Sequence, residues 1–275
     1  SVISAMPELA EVEYFRKQWD PGLNQVIHSV QLHREARVFR DCDTRALERG
    51  LTGLPLTVSM AAGKQMAFRS STGAWLGIHL GMTGSLAHHP SGYRASKADH
   101  LALSTPSGVL VFSDPRMFGR VDFTAGQDTP AWWARIPAPV ASEGFTVKDL
   151  VQFLNRRRKS PLKAVLLMQE RFPGIGNWMA DEILWRAGLH PRLPAGALTA
   201  GQALRLHREC QWVCRRAMET IGQDFRDPPK SWLFPHRWQE GGRCPRTGQV
   251  LIRETVGGRT TCWSPGRQQR LTSGP

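Results

Sequence analysis

The hydrophobic pattern changes period near the middle of this chain and again near its end, so one uniform architecture cannot accommodate the whole of it. From Val26 to Phe123 apolar residues come in short β-rich runs parted by turn signals, among them Trp75-Leu-Gly-Ile-His-Leu80, Leu101-Ala-Leu103 and Val109-Leu-Val-Phe112. Runs of that length predict strands, and Ser107-Gly108 between the last two predicts a hairpin turn. From Val147 the spacing is helical: Leu150, Phe153 and Leu154, then Leu162, Val165 and Leu166, then Met179, Ile183, Leu184 and Ala187. After Trp238 it returns to strands, because Val250–Val256 and Arg259–Trp263 flank Gly257-Gly258, a favoured two-residue turn. A helical pattern from Glu8 to Trp19, stopped by Pro21-Gly22, precedes the first strands. The expected fold class is α+β.

The segment from Pro130 to Ser142, with three prolines and no sustained period, reads as the connection between two modules. The expected division is a leader at 1–6, a β module at 7–135, a linker at 136–146, a helical module at 147–240, a hairpin at 241–268 and a tail at 269–275.

Charge narrows the function classes. Subtracting 23 acidic from 36 basic residues leaves +13, which favours a polyanionic partner such as nucleic acid, the alternative being a merely solvated basic surface. The chain holds no apolar run near the ~20 residues that span a bilayer, so no membrane role is expected. Five cysteines, an odd number, and the lack of a secretory pattern at the N-terminus point to a reducing cytoplasmic setting.

Three segments carry candidate chemistry. Gly174-Ile-Gly-Asn177 precedes a helix whose end is marked by Ala187-Gly188 and Pro191. Glycines there allow close backbone approach and the exposed N–H groups favour a phosphate, with Asn177 expected to cap the helix; a plain tight turn is the other reading. His79-Leu-Gly-Met-Thr-Gly-Ser-Leu86 places Met82 between glycines after a strand, and Asp114-Pro-Arg-Met-Phe-Gly119 places Arg116 and Phe118 on a short turn. These side chains either project from loop tips, where they can enter DNA, or serve core packing and turn chemistry.

Taken together with Pro7-Glu-Leu-Ala-Glu-Val-Glu13 and with Ala180-Asp-Glu182, these segments resemble, in order, the signatures of the formamidopyrimidine-DNA glycosylase and endonuclease VIII family. The resemblance extends from Pro7 to about Gln268. It implies an N-terminal β-sandwich with flanking helices, a C-terminal helix–two-turn–helix module with a β-hairpin finger, and damaged double-stranded DNA bound between the two domains by a monomer. It further implies a glycosylase with AP lyase activity in base excision repair, acting chiefly on oxidised bases, with no cofactor. Pro7 matches the nucleophile, Glu8 the acid that assists opening of the deoxyribose, and Lys64 a lysine near the lesion's phosphates. Met82, Arg116 and Phe118 match residues that fill the space left by an everted base, and Asn177 and Arg259 match phosphate contacts. The chemistry is coherent: a free proline amine titrates near the α-amino range of about 7.7–8.0, against about 10.4 for lysine, so far more of it is unprotonated for attack on C1′. Glu8 can carry protons during ring opening if its surroundings raise its pKa.

Three features depart from the family pattern. Many relatives close the hairpin with zinc on four cysteines, whereas the corresponding places here hold Cys244, Thr247, Ser264 and Arg267, with Cys262 two positions off register. No metal site is expected, and strand pairing with packing of Trp263 is expected to hold a zincless finger. Gly222–Arg243 is too short and too different to supply the long base-covering loop of 8-oxoguanine-type enzymes, which leaves lesion preference open. Finally, Ser1–Met6 precedes Pro7 and occupies its nitrogen; Met6-Pro7 looks like an initiating methionine and its successor, so Ser1–Ala5 is expected to be an addition, from a misplaced start or an engineered one, rather than a processed leader. If the nitrogen stays blocked, the rival is a catalytically silent protein that binds damaged or abasic DNA. A basic RNA-binding protein would explain the charge but not the acid beside the proline.

Overall fold

The computed structural model describes residues 6–269, so the expected leader and tail fall outside the described residues except for Met6 and Gln269. The chain divides into a β unit, Glu11–Ile136 with Pro7, and a helical unit made of Glu8–Ala10 and everything from Pro137. The changeover falls inside the first helix, α1 (Leu9–Lys17).

The β unit is a sandwich of two antiparallel four-stranded sheets. One has the order β1 (Ser29–Leu32), β6 (Asp99–Thr105), β7 (Gly108–Ser113), β5 (Ser85–His89). The other runs β2 (Leu56–Ala62), β3 (Gln65–Ser70), β4 (Trp75–His79), β8 (Arg120–Thr124). Alternation along the strands sends Phe68, Leu76 and Ile78 from one sheet and Leu101, Leu103, Leu110 and Phe112 from the other into a shared core, all of them fully buried. α2 (Thr44–Leu51), capped by Asp43, adds Leu47 and Leu51. The outer faces are covered as well, which explains why β4 and β7 are apolar without strict alternation: Tyr93 packs on Ala102, Val109 and Val111, and Trp132 edge-on and Trp133 at a tilt pack against Trp75. These tryptophans belong to α3 (Ala131–Ala134), a helical turn within the proline-rich segment, and a Cβ on Gly77 would meet Trp132 at 2.7 Å.

The β6–β7 turn differs by one residue from the expected one. Thr105 pairs with Gly108, so the turn is Pro106-Ser107 and Gly108 is the first strand residue. Its φ of +144° and the collision a Cβ would have with the His89 carbonyl are the reasons for glycine there.

The helical unit packs around α6 (Asn177–Ala187), of which Trp178, Met179, Ile183 and Leu184 are buried against α4 (Val147–Arg156), α5 (Leu162–Leu166) and α7 (Ala200–Glu219). Val140 and Phe145, within the segment expected to be a linker, are buried in the same core, so this connection is packed rather than loose. Between α5 and α6 lie two successive turns, with N–H groups of Arg171 and Phe172 donating to the Met168 carbonyl and that of Ile175 donating to Phe172. α6 ends at Gly188 in the left-handed region, φ +69°. After α7 a short α8 (Ile221–Asp224) leads to a hairpin of β9 (Ile252–Val256) and β10 (Arg259–Trp263), which falls in the same unit as the helices. Val256 pairs with Arg259 around Gly257-Gly258, both at positive φ, as the two-residue turn requires.

Phe112 fills the middle of the sandwich. Phe112→Ala should destabilise the β unit by about 3–5 kcal/mol, read as a shift of its denaturant midpoint; a change under ~1 kcal/mol would show that the site collapses around the smaller side chain.

Candidate active site and nucleic-acid interface

The first turn of an α-helix leaves backbone N–H groups unpaired, and in α6 a side chain from the other end of the sequence takes them. The Glu8 carboxylate, buried at 1% exposure, accepts from the N–H groups of Trp178 at 2.9 Å, Gly176 at 3.0 Å and Met179 at 3.1 Å. Leu9 N–H donates to the Gly174 carbonyl at 2.9 Å beside it. A carboxylate is well placed at the positive end of the helix dipole. The cap expected from Asn177 is therefore corrected: Gly176 is the N-cap residue and Asn177 the first helical one. The Glu8 carboxyl occupies the place a Cβ at Gly176 would need, so glycine is required where a capping side chain would otherwise stand.

Asn177 is turned to another task. Its Nδ2 donates to the Thr260 carbonyl at 2.9 Å, next to Arg259, while its Oδ1 is buried with no protein partner. The two expected phosphate contacts, Asn177 and Arg259, are thus brought together at the α6 N-terminus and the start of β10.

Beneath them lies a buried ionic cluster that local sequence patterns do not single out. Asp181 pairs with Lys163 of α5 and with Arg237 Nη2 at 2.7 Å, and it accepts from Cys262 N–H of β10 at 2.9 Å. Lys163 also approaches the carbonyls of Asn177 and Thr260, each at 3.5 Å. Burial pulls the Lys163 pKa down while Asp181 opposes it. The next residue, Glu182, is pushed up to about 7 by burial, although Arg186 and the N–H groups of Leu233 and Phe234 favour its charge. The available signal was Asp181-Glu182 inside an apolar helix: two acids there need partners.

In the β unit, Met82 sits at the tip of the β4–β5 loop at 39% exposure, and Phe118 on the β7–β8 turn at 43%. The buried Asp114 carboxylate joins the two segments, accepting from Thr83 Oγ1 at 2.6 Å and from Gly119 N–H at 2.7 Å, while Arg116 N–H donates to the Thr83 hydroxyl at 3.2 Å. Arg116 lies over the Phe118 ring at 4.9 Å. Arg40 Nη1 donates to the Gly119 carbonyl at 2.8 Å, and Arg37 lies 5.8 Å from the Phe118 ring; neither stands out in the sequence. Met82, Arg116 and Phe118 thus form one exposed group on loops.

Lys64 occupies the two-residue turn Gly63-Lys64 between β2 and β3. His79, whose Nδ1 accepts from Gly81 N–H at 3.0 Å, is held down to about 4 by burial first, then by Lys64, Arg40 and Arg120. It is a neutral support at the base of the Met82 loop.

The N-terminal domain model of formamidopyrimidine-DNA glycosylase matches residues 6–121, and the helix–two-turn–helix domain model of the same enzymes matches residues 137–227. A formamidopyrimidine-DNA glycosylase from Laribacter hongkongensis is 34% identical over 275 residues, covering 96% of this chain and all of its own. The chain belongs to the formamidopyrimidine-DNA glycosylase family. A Thermus thermophilus glycosylase is 35% identical over 274 residues, covering 94% of this chain and 97% of its own. Among solved structures, the Lactococcus lactis enzyme in complex with DNA containing an oxidised pyrimidine superposes with a TM-score of 0.86 at 26% identity, covering 96% of this chain and 100% of its own. The same enzyme bound non-covalently to DNA containing an AP site gives a TM-score of 0.83, again at 26% identity and with the same coverage.

Of Cys244, Thr247, Ser264 and Arg267, Cys244 and Arg267 are each hydrogen-bonded to Trp185, the first through its sulfur and the second to its carbonyl. Burial raises the Cys244 thiol, yet hydrogen bonding at the sulfur, with Trp185 Nε1 as a donor, more than offsets it and brings the thiol to about 7. Trp185 Nε1 donates to Cys244 Sγ at 3.4 Å within a small core that includes Leu233, Leu251 and Cys262. Arg267 Nε and Nη2 donate to the Trp185 and Arg186 carbonyls, each at 3.3 Å, which fastens the finger to the end of α6. Trp263 packs edge-on against His190 and donates to Glu254 at 3.0 Å. Among the described residues no group of three His, Cys, Asp or Glu side chains is arranged to hold a metal.

Cys42, Cys214 and Cys262 are pushed up to about 12 and Cys210 well above its ordinary range. Ultraviolet thiolate absorbance should therefore show one thiolate per chain appearing at about pH 7, lost in Cys244→Ser; a first midpoint at 9.0 or above would refute the hydrogen-bonded site.

Proposed function

We propose that this protein removes damaged, chiefly oxidised, bases from double-stranded DNA and cuts the strand by a lyase reaction in which Pro7 is the nucleophile. The observation that carries the reading is the seat of Glu8. Three backbone N–H groups at the start of α6 fix the residue that follows Pro7, beside the glycine turn that precedes the phosphate-contact candidate Asn177. A carboxylate so fixed, with three N–H donors that favour its charged form, is preorganised as a proton acceptor for the neighbouring amine. Family membership and the damaged-DNA complexes of the Lactococcus lactis relative support the substrate class.

In this reading the Pro7 nitrogen attacks C1′ as the base departs with its bonding electron pair and a proton. Ring opening, assisted by Glu8, leaves a cationic iminium that acidifies C2′, and loss of that proton expels the 3′ phosphate. Lys64, Asn177 and Arg259 hold phosphates, and Met82, Arg116 and Phe118 fill the place of the everted base.

Attack requires a free amine. While Pro7 is bonded to the Met6 carbonyl its nitrogen is an amide without an available lone pair, and the protein binds damaged DNA without reacting. Protein beginning at Pro7 should form a borohydride-trapped adduct with abasic DNA, and protein retaining Ser1–Met6 should bind that DNA without trapping, both N-termini being verified by intact mass. Equal trapping by the two would move the nucleophile to another amine, Lys64 first.

The wedge generates a second expectation. Met82→Ala, Arg116→Ala and Phe118→Ala should impair base excision from duplexes more than cleavage at pre-formed abasic sites, because only the former must offset unstacking of a few kcal/mol. Equal losses on both substrates would assign these residues to folding instead.

A further inference from the structure

Away from the residues assigned to DNA, the helical unit carries a pocket of about 380 Å³ lined by Arg186, Arg208, Glu209, Gln211, Trp212 and Arg215. Arg208, Gln211, Trp212 and Arg215 share one face of α7 by their spacing, and Arg186 joins them from the last turn of α6, about 13 Å along that helix from Asn177. Three guanidinium groups face one carboxylate in the lining. Arg186 is fixed: its Nε donates to Glu182 at 3.0 Å, and its guanidinium lies 3.9 Å from the centre of the Trp212 ring and 4.7 Å from that of Trp232. Arg208 and Arg215 are exposed and make no ion pair among the described residues. The carbonyl end of α6, which would repel an anion, is covered, since Arg205 Nη1 donates to the Ala187 carbonyl at 3.2 Å and Arg267 Nη2 to that of Arg186 at 3.3 Å.

We propose that this pocket binds a nucleotide, with Arg208 and Arg215 holding the phosphate and the Trp212 indole packing against the base. Guanidinium groups match phosphate oxygens in pairs, and an indole wall accepts the flat face of any base. Size decides against a bare ion: the volume lies within the range of about 300–1,000 Å³ that suits small organic ligands, and a lone phosphate would leave most of it to water. Glu209 and Gln211 supply an acceptor and a donor–acceptor pair for the polar edge of a base. The nucleotide is either free or part of a DNA strand passing over α7.

The test is calorimetric titration of the full chain with dAMP and, separately, with inorganic phosphate, in the wild type, in Arg208→Glu with Arg215→Glu, and in Trp212→Leu, circular dichroism confirming that each variant is folded. The wild type should bind dAMP more tightly than phosphate, and each variant should bind dAMP at least about tenfold more weakly; the same substitutions in protein beginning at Pro7 should leave nicking of abasic duplex DNA at the rate of the unsubstituted Pro7 form. A short single-stranded oligomer that displaces dAMP identifies a strand as the source, and one that does not identifies the free nucleotide; both outcomes support the site. No dAMP binding at millimolar concentration, equal binding in wild type and variants, or phosphate binding as tightly as dAMP would overturn it.

Discussion

A buried helix with its first turn pointing at a functional surface has a donor problem, and the solution in α6 orders much of the helical unit. If the orphan N–H groups were taken by a side chain on the preceding turn, that side chain would stand where DNA phosphates are proposed to lie. They are taken instead by Glu8, from the other end of the sequence. This ties the residue after Pro7 to a rigid element, demands glycine at position 176, and frees Asn177 to hold the hairpin through the Thr260 carbonyl. Each donor satisfied in this way offsets a desolvation penalty of about 1–3 kcal/mol.

The ionic cluster below works on the same elements by different physics. A lysine, an aspartate and an arginine buried together would be costly singly, and their mutual pairing is what permits burial. Because Asp181 also accepts from Cys262 N–H, the cluster fixes β10 to α6. The finger then has four attachments to one helix: Asn177 at its start, Asp181 in its middle, Trp185 to the Cys244 sulfur, and Arg267 at its last carbonyls. These attachments orient the hairpin on the helix.

What was legible in the sequence was what depends on near neighbours. Strand runs around Trp75, Leu101 and Val109, the helix ending at Gly188, and the Gly257-Gly258 turn all follow from local periodicity and backbone freedom. The long helix α7 carried a local mark too, the capping box in which Thr199 and Gln202 bond reciprocally, yet it is absent from the expectations. Misplaced features have distant causes. Asn177 looked like a cap because Glu8 lies 168 positions away in sequence from Gly176. The proline-rich stretch looked like a linker because what receives its side chains, the helical core for Val140 and the outer sheet face at Trp75 for Trp132, is built elsewhere in the chain. Motif order named the candidate site residues, while Arg40, His79, Lys163 and Arg237, which hold the segments that carry them, became visible only through contacts.

Asp114 has a consequence of its own for the way the exposed loops can move. Its two carboxylate oxygens each hold a different segment, one the Met82 loop and the other the Phe118 turn, and it is fully buried. Two loops latched through one interior group behave as a single jaw: pressure applied at either tip is carried to the other through Thr83 and Gly119 rather than being absorbed by independent flexing. Met82, Arg116 and Phe118 are thereby mounted on segments that share one interior anchor.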